Sequence, residues 1–164
     1  AATKEDKNFM NQIKDYVLNG KIEAADALCK SKNTPTARLI EKGISRIGKP
    51  LEDINTAIET AGKLEIYQLE KALELAKEEV RNRPTPESYS WLAFAHLKLG
   101  NHEKAKEIID NHVIDKTCEP SQLYKAAVVY KVNDMEEKVN ELKQELMGAF
   151  YELGPSMESK IKAL

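Results

Sequence analysis

Few residues in this chain of 164 could do chemistry, and they are scattered. The three histidines are His96, His102 and His112, and no two of them are four residues apart. A zinc site on a helix needs histidines at that spacing, or cysteine and carboxylate partners beside them. The two cysteines, Cys29 and Cys118, stand 89 positions apart and belong to no Cys-x-x-Cys motif. The sequence therefore predicts no metal site and two reduced thiols.

The acidic residues are equally unpromising as catalytic groups. Carboxylate pairs such as Glu78-Glu79 and Glu136-Glu137 are adjacent on predicted helices, so their side chains point apart. A general base would need a nucleophile or a second titrating group close by, and no such grouping is present. There is also no glycine-rich loop to cradle a phosphate. We therefore predict that the protein is not an enzyme and uses no cofactor.

The clearest charge feature is a basic stripe between residues 38 and 49. Residues 30 to 49 contain six basic side chains and one acidic one, Glu41. The stripe consists of Arg38, Lys42, Arg46 and Lys49. Its first three members follow an i, i+4, i+8 spacing, which predicts one helix face. Such a face could contact anionic headgroups, at about 1 kcal/mol per basic residue near the membrane. A solvated helix face is the alternative interpretation.

Composition limits the fold that could position these residues. There are 25 Lys and Arg against 27 Asp and Glu, which argues against a broadly basic nucleic-acid-binding domain. Only seven Gly and six Pro, with 6% aromatic residues, indicate long helices and few turns. No run of 18 apolar residues could span a membrane, and no secretory signal precedes the first helix. The expected location is therefore cytoplasmic.

Helical periodicity runs through the whole sequence and predicts an all-α antiparallel array of about eight or nine helices. Asn19-Gly20 ends a first helix, and Thr34-Pro35 is a typical helix start. The inner face of that next helix is predicted to contain Leu39, Ile40, Ile44 and Ile47. One long helix is expected from about 51 to 82. A short helix from 156 to 163 follows Gly154-Pro155.

The second half of the chain repeats with a period of 34 residues. The matching pairs are Leu92 and Ala126, Ala93 and Ala127, His96 and Tyr130, Gly100 and Asp134, Ala105 and Val139, and Ile108 and Leu142. A helix–turn–helix period of 34 is typical of tetratricopeptide repeats. Accordingly, ALELAKEEVRNRPTPESYSWLAFAHLKLGNHEKAKEIIDNH and LYKAAVVYKVNDMEEKVNELKQEL resemble that family, although Asp134 replaces its turn glycine.

This resemblance implies an α-solenoid in which the first helix of each pair lines a peptide groove. The candidate groove residues are Ser90, Phe94, Leu97, Lys98, Tyr124, Val128 and Lys131. Phe94 and Val128, at equivalent positions of the two repeats, could form an apolar strip for an extended peptide or an amphipathic helix. The family's carboxylate clamp of Lys and Asn is absent, so binding of acidic C-terminal tails is not implied. The alternatives are that these residues pack on a neighbouring helix, on the terminal helix 156–163, or on a second copy of the chain.

Residues 4–71 resemble a different family, the cytoplasmic segment of ExbB/TolQ/MotA-type proton-channel proteins. The most specific pieces are ARLIEKGISRIGKPLEDI and the ending YQLEK. In that family a pore-forming hydrophobic helix follows directly, whereas here ALELAKEEV follows. Because the transmembrane helices that form the proton pathway are missing, the resemblance does not imply channel activity.

The two resemblances meet inside one predicted helix, so we expect an ExbB-like domain at 1–71 and a repeat domain at 72–164. A fusion of two helical pieces, engineered and without a native function, would account for this junction. A natural repeat protein with a diverged N-terminal half is the alternative. The predicted function is a non-catalytic scaffold or interaction module with a protein or peptide partner. The alternative function is a regulatory, membrane-proximal segment of a proton-driven transport complex.

Overall fold

The computed structural model describes residues 4–32, 34–148 and 151–164, with side chains from Lys7 onwards. Every regular element in this part of the chain is an α-helix. The helices are α1 (Lys4–Leu18), α2 (Ile22–Lys32), α3 (Pro35–Ile44), α4 (Leu51–Asn82), α5 (Pro86–Lys98), α6 (His102–His112), α7 (Pro120–Val132), α8 (Glu136–Leu146) and α9 (Pro155–Lys162). These nine described helices confirm the predicted all-α fold and helix number. None of them is both long enough and apolar enough to cross a membrane.

The chain divides into two compact units, Ala1–Tyr67 and Gln68–Leu164. The division falls inside α4, which contributes its first part to one unit and its second part to the other. The sequence resemblances place their boundary a little later, between residues 71 and 72. Each unit has its own buried cluster of apolar side chains.

In the first unit, α1 and α2 form a tight helical hairpin. Gly20 turns the chain with a φ of 69°, in the left-handed region that glycine adopts at little cost. The amide of Lys21 donates to the carbonyl of Tyr16 at 2.8 Å and closes the end of α1. Five residues after Gly20, the fully buried Ala25 packs in a cluster with Phe9 and Cys29. A side chain without bulk at this position lets the two helices approach closely.

Helix α3 begins as predicted but ends earlier. The Oγ1 of Thr34 accepts from the amide of Ala37 at 3.2 Å, and proline occupies the first turn. The helix stops at Ile44, and turn-type bonds such as Arg46 N–H to the Gly43 carbonyl follow. Ile47 is 44% exposed, so its assignment to the inner face was wrong. Because the helix ends first, the basic stripe does not lie on one continuous helix face.

Side chains in the first part of α4 contact α3. A Cβ on Gly43 would come within 2.9 Å of the Cδ1 of Ile58, so the glycine leaves room for the end of that side chain. Towards the other end of α3, the guanidinium of Arg38 donates to both carboxylate oxygens of Glu65, at 2.5 and 2.7 Å. This two-point pairing fixes the antiparallel register of the two segments.

The second unit contains two helix pairs that are offset by 34 positions. Helices α5 and α7 each have 13 residues, and helices α6 and α8 each have 11. The turns match as well, because Gly100 and Asp134 both have a positive φ, of 80° and 56°. Asp134 therefore adopts the left-handed conformation in place of glycine, as aspartate can do in a single-residue turn. The predicted 34-residue period is thus present in the backbone itself.

Close helix contacts in the second unit use small or β-branched side chains at equivalent positions. Ala93 and Ala127 are fully buried on the first helix of each pair, and Ala105 and Val139 are buried on the second. They belong to one cluster that extends to the fully buried Ile161 of α9. Helix α9 therefore completes the apolar core of this unit at its C-terminal end.

A polar cluster around Asp110 ties α6, α7 and α8 together. The buried hydroxyl of Tyr130 donates to Oδ1 of Asp110 at 2.6 Å. Lys138 donates to the same oxygen at 3.1 Å, and Lys106 donates to Oδ2 at 2.9 Å. Burial and the bond to Asp110 raise the pKa of the Tyr130 hydroxyl, so it stays a donor at all ordinary pH values. Burial acts to raise the pKa of Asp110, but its three donors outweigh this effect and hold that pKa below its ordinary value.

The Asp110 cluster predicts a pH-dependent contribution to stability. Because the folded pKa lies below the unfolded one, the carboxylate stabilises the fold above about pH 4. That contribution is lost as pH falls through the folded pKa. We expect Asp110→Asn to lower the free energy of unfolding at pH 6 and to lower it much less at pH 2.5, as measured by urea unfolding. An equal loss at both pH values would contradict this account.

The two repeats differ at the start of their first helix. In α5, Thr85 caps the helix and forms a reciprocal capping box with Ser88, with bonds of 3.0 and 3.2 Å. The equivalent residues in α7 are Glu119 and Gln122, where no side-chain cap forms. The Oε1 of Gln122 is buried and has no hydrogen-bond partner among the described residues. The start of α7 is therefore less stabilised by side-chain hydrogen bonds than the start of α5.

Transferring the capping box to α7 should stabilise the second unit. In Glu119→Thr/Gln122→Ser, a cap is gained and an unpaired buried carbonyl is removed. The free energy of unfolding should rise by about 1 kcal/mol. Thermal and urea unfolding measure the change. The reverse exchange, Thr85→Glu/Ser88→Gln, is the matched control and should destabilise by a similar amount. A double variant no more stable than the parent would show that the box does not function in this position.

Candidate functional site

The second unit contains an open apolar groove of about 720 Å³ between the second part of α4 and the outer face of α5. The apolar residues that line it are Leu69, Ala72, Leu75 and Ala76 from α4, and Trp91, Phe94 and Ala95 from α5. They recur at three- and four-residue spacings, so each set lies along one side of its helix. We call this surface the α4–α5 groove.

The short connection between α4 and α5 explains how the groove forms. Helix α4 ends at Asn82, and proline at 84 cannot continue it. The Thr85 capping box then starts α5 at Pro86, so the two helices are joined by residues 83–85 alone. A connection this short makes neighbouring helices run antiparallel. The end of α5 therefore lies toward Leu69, and its beginning lies toward Asn82.

The α4–α5 groove exposes large apolar side chains to water. Leu75 is 59% exposed and Trp91 is 52% exposed. No residue of α4 is buried, although all 32 of its residues belong to the described part of the chain. Single exposed apolar residues are ordinary, but a contiguous apolar surface with a groove marks an interaction site.

Charged groups border both aromatic rings of the groove. The Nζ of Lys98 lies 5.1 Å from the centroid of Phe94, and the Nζ of Lys125 lies 3.9 Å from the centroid of Trp91. Burial lowers the pKa of Lys125, while Glu87 acts in the opposite direction. These cations stack on the ring faces and hold the aromatic side chains in place.

Two of the predicted groove residues lie in the α4–α5 groove, and two others are buried beneath it. Phe94 and Lys98 line the groove. Ser90 is fully buried and its hydroxyl donates to the carbonyl of Glu87 at 2.7 Å. Leu97 is buried in the core of the second unit. Neither Ser90 nor Leu97 has a side chain that a partner could reach.

The three predicted residues on α7 do not line the α4–α5 groove. Tyr124 and Val128 are partly buried against the same core cluster that contains Ile161. The ammonium of Lys131 donates to the carbonyls of Ala163 and Leu164, at 3.0 and 2.6 Å. Lys131, one of the predicted groove residues on α7, is therefore hydrogen-bonded to the last two residues of the sequence. Packing of the groove residues on the terminal helix 156–163 was one of the alternatives that the sequence left open.

Sequence reasoning missed Leu75 and Trp91 as site residues. Trp91, Phe94 and Lys98 follow an i, i+3, i+7 pattern, which could have identified the outer face of α5. The repeat alignment instead directed attention to the face that begins at Ser90. Leu75 was missed because the apolar stripe with alternating spacings of four and three residues, Leu69, Leu73, Ala76 and Val80, passes beside it.

The remaining candidate groups are dispersed. Burial lowers the pKa of His96, with smaller contributions from Lys77 and Lys104. His112 stacks on Tyr89 with ring centroids 3.9 Å apart. Burial raises the pKa of the Cys29 thiol, whereas Cys118 is exposed. Among the described residues, no three His, Cys, Asp or Glu side chains are grouped so that they could hold a metal ion.

The members of the basic stripe have different surroundings. Arg38 pairs with Glu65, and this hydrogen bond raises the pKa of the guanidinium and lowers that of the carboxyl. Lys42 and Arg46 line a shallow groove of about 660 Å³ together with hydroxyl groups of α4. Lys49 is exposed in the connection to α4. Lys42, Arg46 and Lys49 are thus exposed cations, whereas Arg38 is paired with a carboxylate.

Comparison with known proteins identifies no relative of this chain. No protein-family model, no curated protein and no solved structure matches it. The two family resemblances therefore stay predictions from the sequence, and the function has to be argued from the residues described above.

Proposed function

We propose that this protein is a non-catalytic helical scaffold that binds an apolar segment of a protein partner in its α4–α5 groove. The observation that carries the proposal is the exposure of Leu75 and Trp91, which both line one apolar groove. Free thiols at Cys29 and Cys118 support a reducing, cytoplasmic location.

The dimensions of the groove favour a helical segment as the ligand. From Leu69 to Asn82, the α4 wall is about 20 Å long at 1.5 Å per residue. A ligand helix of three to four turns would cover that length. Amphipathic helices dock in such grooves through apolar anchors at i, i+3, i+4 and i+7. A half-exposed tryptophan is a typical hot spot when binding removes its large ring from water.

The repeat geometry supports the kind of module that we propose. A 34-residue helix–turn–helix period, two left-handed turns and fully buried alanines are features expected of a tetratricopeptide-type array. In our proposal the second unit is such an array, and the first unit is the ExbB-like segment joined to it through α4. A fusion of this kind keeps both cores without a separate linker.

The groove hypothesis predicts the effect of one substitution. The test ligands are amphipathic helical peptides selected from a displayed library for binding to the parent protein. Leu75→Glu places a charge in the apolar groove and should abolish the binding of these peptides. The fold should be unaffected, because Leu75 is largely exposed. Fluorescence of Trp91, the only tryptophan, should shift to the blue when a peptide binds, and so it measures the affinity.

The matched control is Leu51→Glu, which changes a leucine of the same helix that is 72% exposed and outside the groove. Peptides should bind this variant as they bind the parent, within about twofold. If selected peptides bound Leu75→Glu unchanged, or if none caused a response of Trp91, the α4–α5 groove would not be the interaction site.

A second function is favoured by the exposed cations of the first unit. Lys42, Arg46 and Lys49 make no ion pair or hydrogen bond with any described residue, so their charges are available to an anionic surface. Such a surface would suit a regulatory, membrane-proximal segment of a proton-driven transport complex. Each basic residue near an anionic bilayer contributes about 1 kcal/mol.

This second function predicts binding to vesicles that contain anionic lipid at low salt. Lys42→Glu/Arg46→Glu should remove co-sedimentation with such vesicles, whereas a reversal of two exposed lysines on other helices, Lys14→Glu/Lys104→Glu, should only weaken it. Absence of co-sedimentation by the parent at low salt would exclude the membrane role. It would leave the groove hypothesis intact, because the groove belongs to the second unit.

A further inference from the structure

Three helices of the second unit show how one helix covers the apolar faces of its neighbours. Helix α5 contacts both α6 and α7, and α6 also contacts α7. The buried side chains of α6 follow an i, i+3, i+4 spacing and are Ala105, Ile108 and Ile109. They lie in one buried cluster with Ala93 and Leu97 of α5. The first helix of this pair therefore covers the apolar face of the second.

The second part of α4 has the same apolar pattern without a helix that covers it. Ala72, Leu75 and Ala76 repeat the i, i+3, i+4 spacing of the buried residues on α6. Leu75 is 59% exposed, and Ala72 is exposed as well. Among the described helices of the second unit, none packs closely along this part of α4. The pattern of a covered helix is thus present on α4, but the cover is not.

Helix α5 is uncovered at the corresponding place. Ala95 lines the α4–α5 groove and is only partly buried. Its equivalent 34 residues later is Val129 of α7, which is fully buried in the core cluster. Helix α7 is contacted by α5, whereas the groove lies beside the matching position on α5. Both walls of the groove therefore have the apolar residues that another helix covers in the neighbouring repeat.

The path of the chain explains why this pair is incomplete. Between α5 and α6 the chain turns back at Gly100, with a φ of 80°. Helix α4 instead runs from Leu51 to Asn82 without a turn. The residues that precede its second part continue the same helix, so they cannot fold back to cover it. Helical repeats bury their apolar faces against a neighbour, and an uncovered apolar face at the edge leaves room for one more helix.

We propose that the occupant of the α4–α5 groove is a partner helix with the inner face of α5, in which a small central residue has apolar residues four positions before and after it. In α5 these residues are Tyr89, Ala93 and Leu97. The partner helix would contact α4 on one side and α5 on the other, as α5 contacts α6 and α7. This inference rests on the proposed function, because it specifies the ligand of the same groove.

The need for a small central residue follows from the walls of the groove. On α4, Ala72 and Ala76 have short side chains on either side of Leu75. Where α5 packs on α6, Ala93 and Ala105 are both fully buried. Short side chains on both helices let the two axes approach closely, and a close contact has no space for a bulky side chain. A large residue at the centre of the ligand helix would therefore hold it away from α4.

The charges of the groove affect the ligand less than its shape does. Lys98 and Lys125, which stack on the two aromatic rings, have no ion pair with a described carboxylate. Glu78 lines the groove and has no ion pair with a described cation, whereas Glu79 is paired with Arg83. The unpaired groups thus leave an excess of one cation. This excess favours acidic over basic residues beside the apolar face of the ligand, and such charges act mainly on orientation.

The first test uses a synthetic peptide with the sequence of residues 86–98, in which a hydrocarbon staple joins positions 91 and 95. The staple replaces two residues of the outer face and holds a helix that is marginal at this length. Because the peptide then lacks tryptophan, the fluorescence of Trp91 in the full-length protein measures binding. Binding should saturate below about 100 µM, and no response up to about 1 mM would overturn the proposal.

The second test separates the inner face of this peptide from its outer face. Ala93→Phe in the peptide places a ring at the central position and should weaken binding by at least about tenfold. Phe94→Ala in the peptide changes the outer face and is the matched control, which should alter the affinity by less than about twofold. Equal affinities of these two variants would show that the groove does not require a small central residue, and the proposal would be wrong.

The third test uses variants of the protein. Leu75→Glu should remove binding of the stapled peptide, and Leu51→Glu should leave it unchanged. If peptides selected from a library bind the parent but the stapled peptide does not, the α5-like ligand is wrong and the proposed function stands. If neither binds, both are wrong. Self-association of the parent that the stapled peptide fails to displace, measured by sedimentation equilibrium, would identify a second copy as the occupant and also overturn the proposal.

Discussion

The helix pairs α1–α2, α5–α6 and α7–α8 each depend on one residue with a left-handed backbone and on one small side chain five residues later. Gly20, Gly100 and Asp134 make the turns, and fully buried alanines or a valine follow them. The turn brings the second helix back at once, and the small side chain lets the two axes approach. A bulky residue at either position would separate the pair and open the core. The close contact therefore fixes which face of each helix points inward.

Fixing the inner face of α5 also fixes its outer face. Ala93 and Leu97 must pack inward, so Trp91 and Phe94 lie on the side that faces α4. Helix α4 joins α5 through residues 83–85 only, so it runs beside that outer face without enclosing it. The groove is thus a consequence of how the repeat packs. Its chemistry is set by the few side chains that the core does not constrain.

The helices were predictable because their limits are encoded locally. The local signals are Thr34-Pro35 at the start of α3 and the turn residues of the two repeats, and the structure has a helix start and left-handed turns at these positions. The predicted 34-residue period is present in the structure as well. Ile47 was assigned wrongly because its spacing continues the helical pattern of α3, while the backbone leaves that pattern at Ile44. Periodicity shows which residues could share a face, and it cannot show where hydrogen bonding stops.

The site was harder to predict, because exposure depends on contacts between elements distant in sequence. Ser90 has the type and position of a groove residue, yet it is fully buried with its hydroxyl bonded to a backbone carbonyl. Arg38 belongs to a basic stripe by spacing, but Glu65, 27 residues away, neutralises it. The pairing of Arg38 with Glu65 leaves no local trace in the sequence, and neither does the burial of Ser90. The candidate groove emerged only when the neighbours of each side chain were known.

The apolar character of α4 in the second unit needs an explanation that folding does not supply. No residue of α4 is buried, so a polar side chain at position 75 would cost the core nothing. Helix propensity does not require leucine there either, because glutamate and lysine serve nearly as well. Exposed leucines at positions 18 and 51 raise no such question, since isolated apolar residues are common on surfaces. Leu75 differs because it adjoins a half-exposed tryptophan across a groove, and that contiguity is what a binding surface requires.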